Sequence, residues 1–391
     1  MTDTSVTAGW VRGWGASPQA PHDGLGSLDG RPPLSDVTVR QVLRIGGGGR
    51  RVRVRFTNEY GTTPLVIGAA RLGLGGRAYP LTFAGAVTAV VPAGAPVLSD
   101  PVDVRVPALS ELTVSLYLPE TVETCTYHDP ALDPGWTIPG DATAALALPG
   151  NVEPLPVRAL ISAVELIPDG PGASVVVLGD SRSDGAGSTP GTHHSWPELL
   201  AERLAGRGSP AAHVANQGIS GNRMLHDGIG PAAAARFDRD VLATPGLRHV
   251  VLSVGGNDII TSFAPRGADS PVGGFLAMFP GAPVSVDDVI AGYLGLVARA
   301  RAHGVRVHGT TIAPYEGSEL FTAAGESARQ QVNAWIRDGG AFDAVLDFDA
   351  VWRDPERPSR MRDDFHAGDH LHGNDAGYRA LADSIDLALF D

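Results

Sequence analysis

The chain has one cysteine, Cys125, in 391 residues. A single thiol excludes an intrachain disulfide and a structural zinc site built on several cysteines. Positive charge is also scarce: 30 Lys and Arg against 43 Asp and Glu give a formal net charge of −13. Phosphate binding needs clustered cations, so no nucleic-acid partner is expected. No apolar run approaches the ~20 residues that span a bilayer, so no membrane span is expected. The opening MTDTSVTAGWVRGWG has no basic segment followed by an apolar one. No signal peptide is therefore expected, and the cytoplasm is the expected compartment. Glycine and proline are plentiful, 50 and 31, but scattered, which predicts ordered turns rather than a fibrous repeat. Composition leaves the oligomeric state unknown.

Length favours two domains, and the residue pattern changes near position 170. Upstream, Arg51-Val52-Arg53-Val54-Arg55-Phe56 alternates with the period of a half-buried strand. Leu65–Ile67, Val102–Val106 and Leu112–Tyr117 read the same way, and turns such as Pro92-Ala93-Gly94 separate them. Residues 1–170 are therefore expected to form an all-β sandwich or jelly-roll-like accessory domain. Trp10, Trp14 and Trp136 fit either sugar-stacking platforms or ordinary aromatic packing. Downstream, apolar strands at Val175–Leu178, His213–Ala215, Val250–Val254, Val305–Ile312 and Ala344–Phe348 alternate with helical patterns. Ser195 with Glu198, and Ser285 with Asp288, have the spacing of capping boxes. This alternation predicts an α/β domain over 171–391 with a five-stranded parallel sheet of flavodoxin-like winding.

Ligands of such sheets gather at the carboxyl ends of the strands. Those ends carry Gly179-Asp180-Ser181, then Asn216 to Arg223, then Gly255-Gly256-Asn257-Asp258, with Asp369-His370-Leu371-His372 before the last helix. Each residue has an ordinary alternative: Ser181 as a helix cap, Asn257-Asp258 as a turn, Gly218 as a positive-φ position, His372 as a cap. The four blocks in this order resemble the SGNH hydrolases, also called the GDSL esterase/lipase family. Trp14 to Pro18 and Arg55 to Asn58 are similar to the β-rich part of two-domain, actinobacterial-type members.

The resemblance implies a serine esterase that needs no cofactor or metal. A serine hydroxyl is a weak nucleophile and requires an adjacent base. By resemblance, Ser181 is the nucleophile, His372 its general base, and Asp369 the carboxylate that orients the imidazole. The oxyanion hole is expected from the N–H groups of Ser181 and Gly218 and the amide of Asn257. Arg182 departs from the apolar residue usual after the serine, and Gly256 stands where a bulkier residue is frequent. Both, with Tyr315 at the end of the fourth strand, are candidate substrate-binding residues. Thr261 to Val286 reads as a long loop and a candidate lid or pocket wall. Expected substrates are short-chain acyl esters of carbohydrate or of a small metabolite. Acyl transfer, and carbohydrate binding through the β domain, remain open alternatives. His366, Asp369, His370 and His372 would suit a metal, but that reading leaves the other blocks idle.

Overall fold

In the computed structural model, which describes residues 9–21, 26–266 and 272–391, five parallel strands follow the β/α alternation. They are β1 (Ser174–Gly179), β2 (His213–Gly218), β3 (Leu247–Ser253), β4 (Arg306–Thr310) and β5 (Ala344–Leu346). Their spatial order is β2-β1-β3-β4-β5, the flavodoxin-like winding. Strand β1 is buried at every position, as a strand covered on both faces must be. The helices are α1 (Ser181–Asp184), α2 (Trp196–Gly206), α3 (Ala233–Phe237), α4 (Gly256–Phe263), α5 (Gly273–Ala277), α6 (Val286–Ala302), α7 (Ala323–Asp338), α8 (Phe348–Trp352) and α9 (Asp375–Ser384). Both expected helix starts form: Ser195 Oγ meets Glu198 Oε2 at 2.8 Å, and Ser285 with Asp288 makes a reciprocal capping box.

Contacts divide the chain into two units. One comprises Met1–Ser174, Pro190–His193 and Leu204–Ala215; the other comprises Val175–Thr189, His194–Arg203 and Asn216–Asp391. The first holds two large antiparallel sheets and two small two-stranded ones, Leu65–Ile67 with Ala89–Val91 and Tyr127–His128 with Arg158–Ala159. A four-stranded sheet runs Val11–Gly15, Ile161–Ile167, Arg51–Asn58, Ala95–Leu98. A six-stranded sheet runs Glu153–Pro154, Gly135–Pro139, Val37–Arg44, Glu111–Leu118, Ala69–Leu74, Arg77–Leu81. Val52, Val54 and Phe56 of one and Val39, Leu43 and Val114 of the other join a single buried core, as in a sandwich.

Two expectations need correction. Val102 to Val106 alternates but forms only isolated bridges, because the Val104 N–H turns back to the Val102 carbonyl and ends the ladder. Thr261 to Val286 is not one long loop. Thr261–Phe263 closes α4, whose Ile259 and Ile260 are buried, and Gly273–Ala277 forms α5. Residues 267–271 of that stretch, and the opening residues 1–8, lie outside the described residues. Among the described residues, no helix is long and apolar enough to cross a membrane.

The parallel sheet also buries an imidazole pair. His249 Nδ1 and His308 Nε2 are 3.1 Å apart, and burial pushes each pKa down from 6.5 to about 4. Between those values the unfolded chain binds protons that the folded chain refuses, so stability rises with pH across this window. Each tenfold loss of proton affinity on folding is worth ~1.4 kcal/mol of that dependence. Melting temperature is expected to fall steadily from pH 6.5 to 4, and His249→Phe/His308→Leu should flatten that slope. An unchanged slope would mean other groups control it.

Candidate active site

The end of β1 leads directly into the first functional side chain. Asp180 is the N-cap of α1, its carboxylate accepting the Arg182 N–H at 3.1 Å. Ser181 is thus the first residue of a one-turn helix that Gly185 ends in the left-handed region, φ 101°. As a first-turn N–H, that of Ser181 has no intrahelical acceptor. Burial raises the Asp180 pKa, opposed by the charge of Arg182.

The loop before α9 brings in the other two groups. His372 Nε2 lies 2.9 Å from Ser181 Oγ, and His372 Nδ1 lies 2.6 Å from Asp369 Oδ2. The remaining carboxylate oxygen of Asp369 accepts the N–H groups of Leu371 and His372, both at 2.9 Å. Burial alone would raise this carboxyl. Hydrogen bonds from the His372 ring and the two amides instead hold it well below the usual carboxylate range. An ionised Asp369 fixes the imidazole with Nδ1 as donor, leaving Nε2 to accept from the serine hydroxyl.

Asn257 sits in the first turn of α4 and is 9% exposed. Its amide nitrogen donates to the Asn222 carbonyl at 3.0 Å. That contact uses one of two amide hydrogens and leaves the second available. The neighbouring Asp258 is a structural carboxylate, accepting the N–H groups of Met224 at 2.6 Å and Leu225 at 3.0 Å. It holds the 224–225 segment against α4.

The model of the GDSL-like Lipase/Acylhydrolase family matches residues 177–380, more than half of the chain. The chain belongs to this family. It is therefore a carboxylic ester hydrolase. No curated protein matches it. Among solved structures it is similar to a catalytic mutant of Axe2, an acetylxylan esterase from Geobacillus stearothermophilus. That match has 20% identity and TM-score 0.40, covering 55% of this chain and 93% of the other. It is also similar to a GDSL-like lipase from Bacteroides thetaiotaomicron VPI-5482, at 16% identity and TM-score 0.40, covering 55% and 87%.

Four of the expected site residues take other places in this GDSL-like hydrolase. The Gly218 N–H donates to Asn216 Oδ1 at 2.9 Å, so it is already engaged. Glycine is required there by packing, since a Cβ would lie 2.6 Å from the Asp184 nitrogen. Arg182 turns into the protein, where its Nε donates to the Leu371 carbonyl at 3.0 Å. It thereby ties the nucleophile's helix to the histidine loop. Gly256 is buried, and a Cβ there would meet Ile312, Asp180 and Arg182 at 3.5–3.7 Å. It joins Asp180, Arg182, Trp196, Ser253 and Thr310 around a cavity of about 20 Å3. That is room for one water, beside two buried donors without a partner among the described residues, Arg182 Nη2 and Trp196 Nε1. Tyr315 is 1% exposed and packs edge-on to Phe321 within a cluster with Ile260 and Leu320. Burial pushes its phenol up to about 12. It is a core residue.

One residue was missed. Gly221 has φ +75° within a turn closed by the Asn222 N–H on the Ile219 carbonyl at 3.0 Å. Ser220 Oγ donates to Asp184 Oδ2 at 2.9 Å, docking this turn on α1. Among the described residues the Gly221 N–H has no acceptor. A Cβ at Gly221 would come within 2.8 Å of Ile229 and 3.3 Å of Phe279, so both side chains press on the turn. The signal was present in Ile219-Ser220-Gly221-Asn222, a turn sequence with glycine at the position that takes positive φ.

Proposed function

We propose that the enzyme cleaves short-chain acyl esters of carbohydrate or small metabolites through an acyl-enzyme on Ser181. The observation that carries this reading is the continuous path from Ser181 Oγ through His372 to Asp369, at 2.9 and 2.6 Å. In the first half-reaction the Ser181 oxygen bonds to the carbonyl carbon while His372 Nε2 takes its proton. The ester C–O bond then breaks, and the imidazolium returns the proton to the departing alcohol. Water repeats the sequence on the acyl-enzyme, again with His372 as base. Asp369 stays ionised throughout and stabilises the imidazolium.

The tetrahedral intermediates place negative charge on the former carbonyl oxygen. The donors that fit are the Ser181 N–H, the second amide hydrogen of Asn257, and the Gly221 N–H in place of Gly218. Asn257→Ala is expected to lower kcat by ~10²–10³ with little change in KM. Steady-state kinetics on an activated ester checks this, and a loss below tenfold would remove Asn257 from the role.

The short-acyl assignment is supported by Phe279 and Ile229 standing against the Gly221 turn. Phe279 is buried, and the Arg223 guanidinium lies 5.4 Å from its ring centre while donating to the Pro280 carbonyl at 2.6 Å. A wall held this way has little room to yield. A p-nitrophenyl ester series tests it: kcat/KM should peak at acetate to butyrate and decline with length. A peak at eight carbons or more would overturn the short-acyl assignment while leaving the esterase reading intact.

A further inference from the structure

The β-rich unit has a concave surface of its own, on the solvent-side face of the six-stranded sheet. Across neighbouring strands Trp136 pairs with Arg40, Arg40 with Ser115, and Ser115 with Arg71. Strand alternation puts these four in one row. Their sequence neighbours Val39, Val114, Leu116 and Leu72 point the other way, into the core. The row, with Arg77 and Leu146, lines a groove of about 300 Å3, at the lower end of the size of small-ligand sites.

The floor is built rather than incidental. Arg40 is only 4% exposed, and its Nε donates to Ser115 Oγ at 2.9 Å. Its Nη2 donates to the carbonyls of Ala142 and Ala145 at 2.9 and 2.6 Å. These bonds pin the 142–147 segment to the sheet, so the wall that carries Leu146 stands before any ligand arrives.

Three further features show what the groove would take. Arg12, Arg51, Arg53, Arg55, Arg105 and Arg158 of this unit are ion-paired, yet Arg71 has no acidic partner among the described residues. Glu111 on the rim faces His193 Nε2 at 3.1 Å instead. The Arg71 guanidinium on this face of a chain with net charge −13, beside the floor residue Arg40, selects an anion, and a carboxylate matches its planar fork. Leu146 and Leu148 are 66% and 41% exposed, apolar surface that a bare protein gains nothing by displaying. The half-buried Trp136 adds an indole face at the far end of the row. A pyranose ring has an apolar C–H face for the indole and leucines, hydroxyls for Thr113 and Ser115, and, in a uronic acid, a carboxylate for the arginines.

We propose that this groove binds a uronate-bearing oligosaccharide. The inference stands apart from the esterase reading, because binding here uses none of Ser181, His372 or Asn257. Calorimetric titration of the full chain with oligogalacturonate, neutral xylo-oligosaccharide and acetate tests it. The acidic oligomer should bind and weaken with added salt, while neither the neutral oligomer nor acetate matches it. Arg71→Ala and, separately, Trp136→Ala should each weaken binding about tenfold or more. Hydrolysis of p-nitrophenyl acetate by these variants should stay at the wild-type rate. Arg71→Gln, which keeps the aliphatic stem and removes the charge, covers the case in which Arg71→Ala fails to fold. No binding of the acidic oligomer, equal binding of the neutral one or of acetate, or undiminished binding by the variants would each overturn the proposal.

Discussion

Ser181→Ala is expected to lower kcat for ester hydrolysis by ~10⁴–10⁶, the range seen when a triad nucleophile is removed from a serine hydrolase. The hydroxyl is the atom that bonds to the acyl carbon, and no neighbouring side chain replaces it. The substitution removes one hydrogen bond to His372, at 2.9 Å, and no core packing, so the melting temperature should hold. His372→Ala should lose nearly as much, and the double variant little more, because the two groups act as one unit. Turnover of p-nitrophenyl acetate is the measurement. Retention of activity within tenfold of wild type by Ser181→Ala would mean that the acyl group is transferred elsewhere.

The second large effect is on stability and lies in a charge network. Asp349 is fully buried and receives Arg329 Nη1 at 2.5 Å, Arg337 Nη2 at 2.6 Å and Arg353 Nη1 at 3.0 Å. Arg329, also fully buried, donates to the Ile312 carbonyl at 2.7 Å; Asn333 Nδ2 donates to the same carbonyl at 2.9 Å, and its Oδ1 accepts the Ile312 N–H at 2.7 Å. These contacts secure the chain where it leaves β4. Asp349→Ala would leave the Arg329 guanidinium buried with Glu326 as its one remaining acidic partner among the described residues. Breaking a buried pair on one side costs ~3–5 kcal/mol, because the remaining charge is desolvated without compensation. For a unit of this size that corresponds to a fall in melting temperature of roughly 6–20 °C. Thermal denaturation checks it, and a shift of a degree or two would show that water or Glu326 takes over the role.

Much of the fold is legible in the residue order because it rests on periodicity. Val175 to Leu178 is continuously apolar and becomes a fully buried strand; Arg51 to Phe56 alternates and becomes a half-buried one. The capping residues Ser195 and Ser285 also act where their spacing places them, since a cap needs only its own next turn. Where periodicity needs a partner, it misleads. Val102 to Val106 has the alternation of a strand but meets its neighbour only at isolated bridges. Gly255 to Asp258 looks like a strand-end turn but opens α4, because Ile259 and Ile260 extend an amphipathic turn into the core.

The amino-acid sequence by itself determined the chemistry available to this protein: a serine at a strand end, an Asp-x-x-His pair, and an asparagine after paired glycines, in an order that a GDSL-like hydrolase uses. It also determined that the second half would be a parallel sheet, because that follows from the spacing of apolar segments. Only the tertiary structure decided which of these backbone N–H groups has an acceptor: among the described residues that of Gly218 has one and that of Gly221 has none. Availability of an N–H depends on what lies within 3 Å of it, and for Gly218 that is a side chain two residues upstream. The same holds for Arg182 and Tyr315. Their places, next to the serine and at the end of the fourth strand, made them candidates for contact with substrate, and the packing around them directed one to the Leu371 carbonyl and the other into the core.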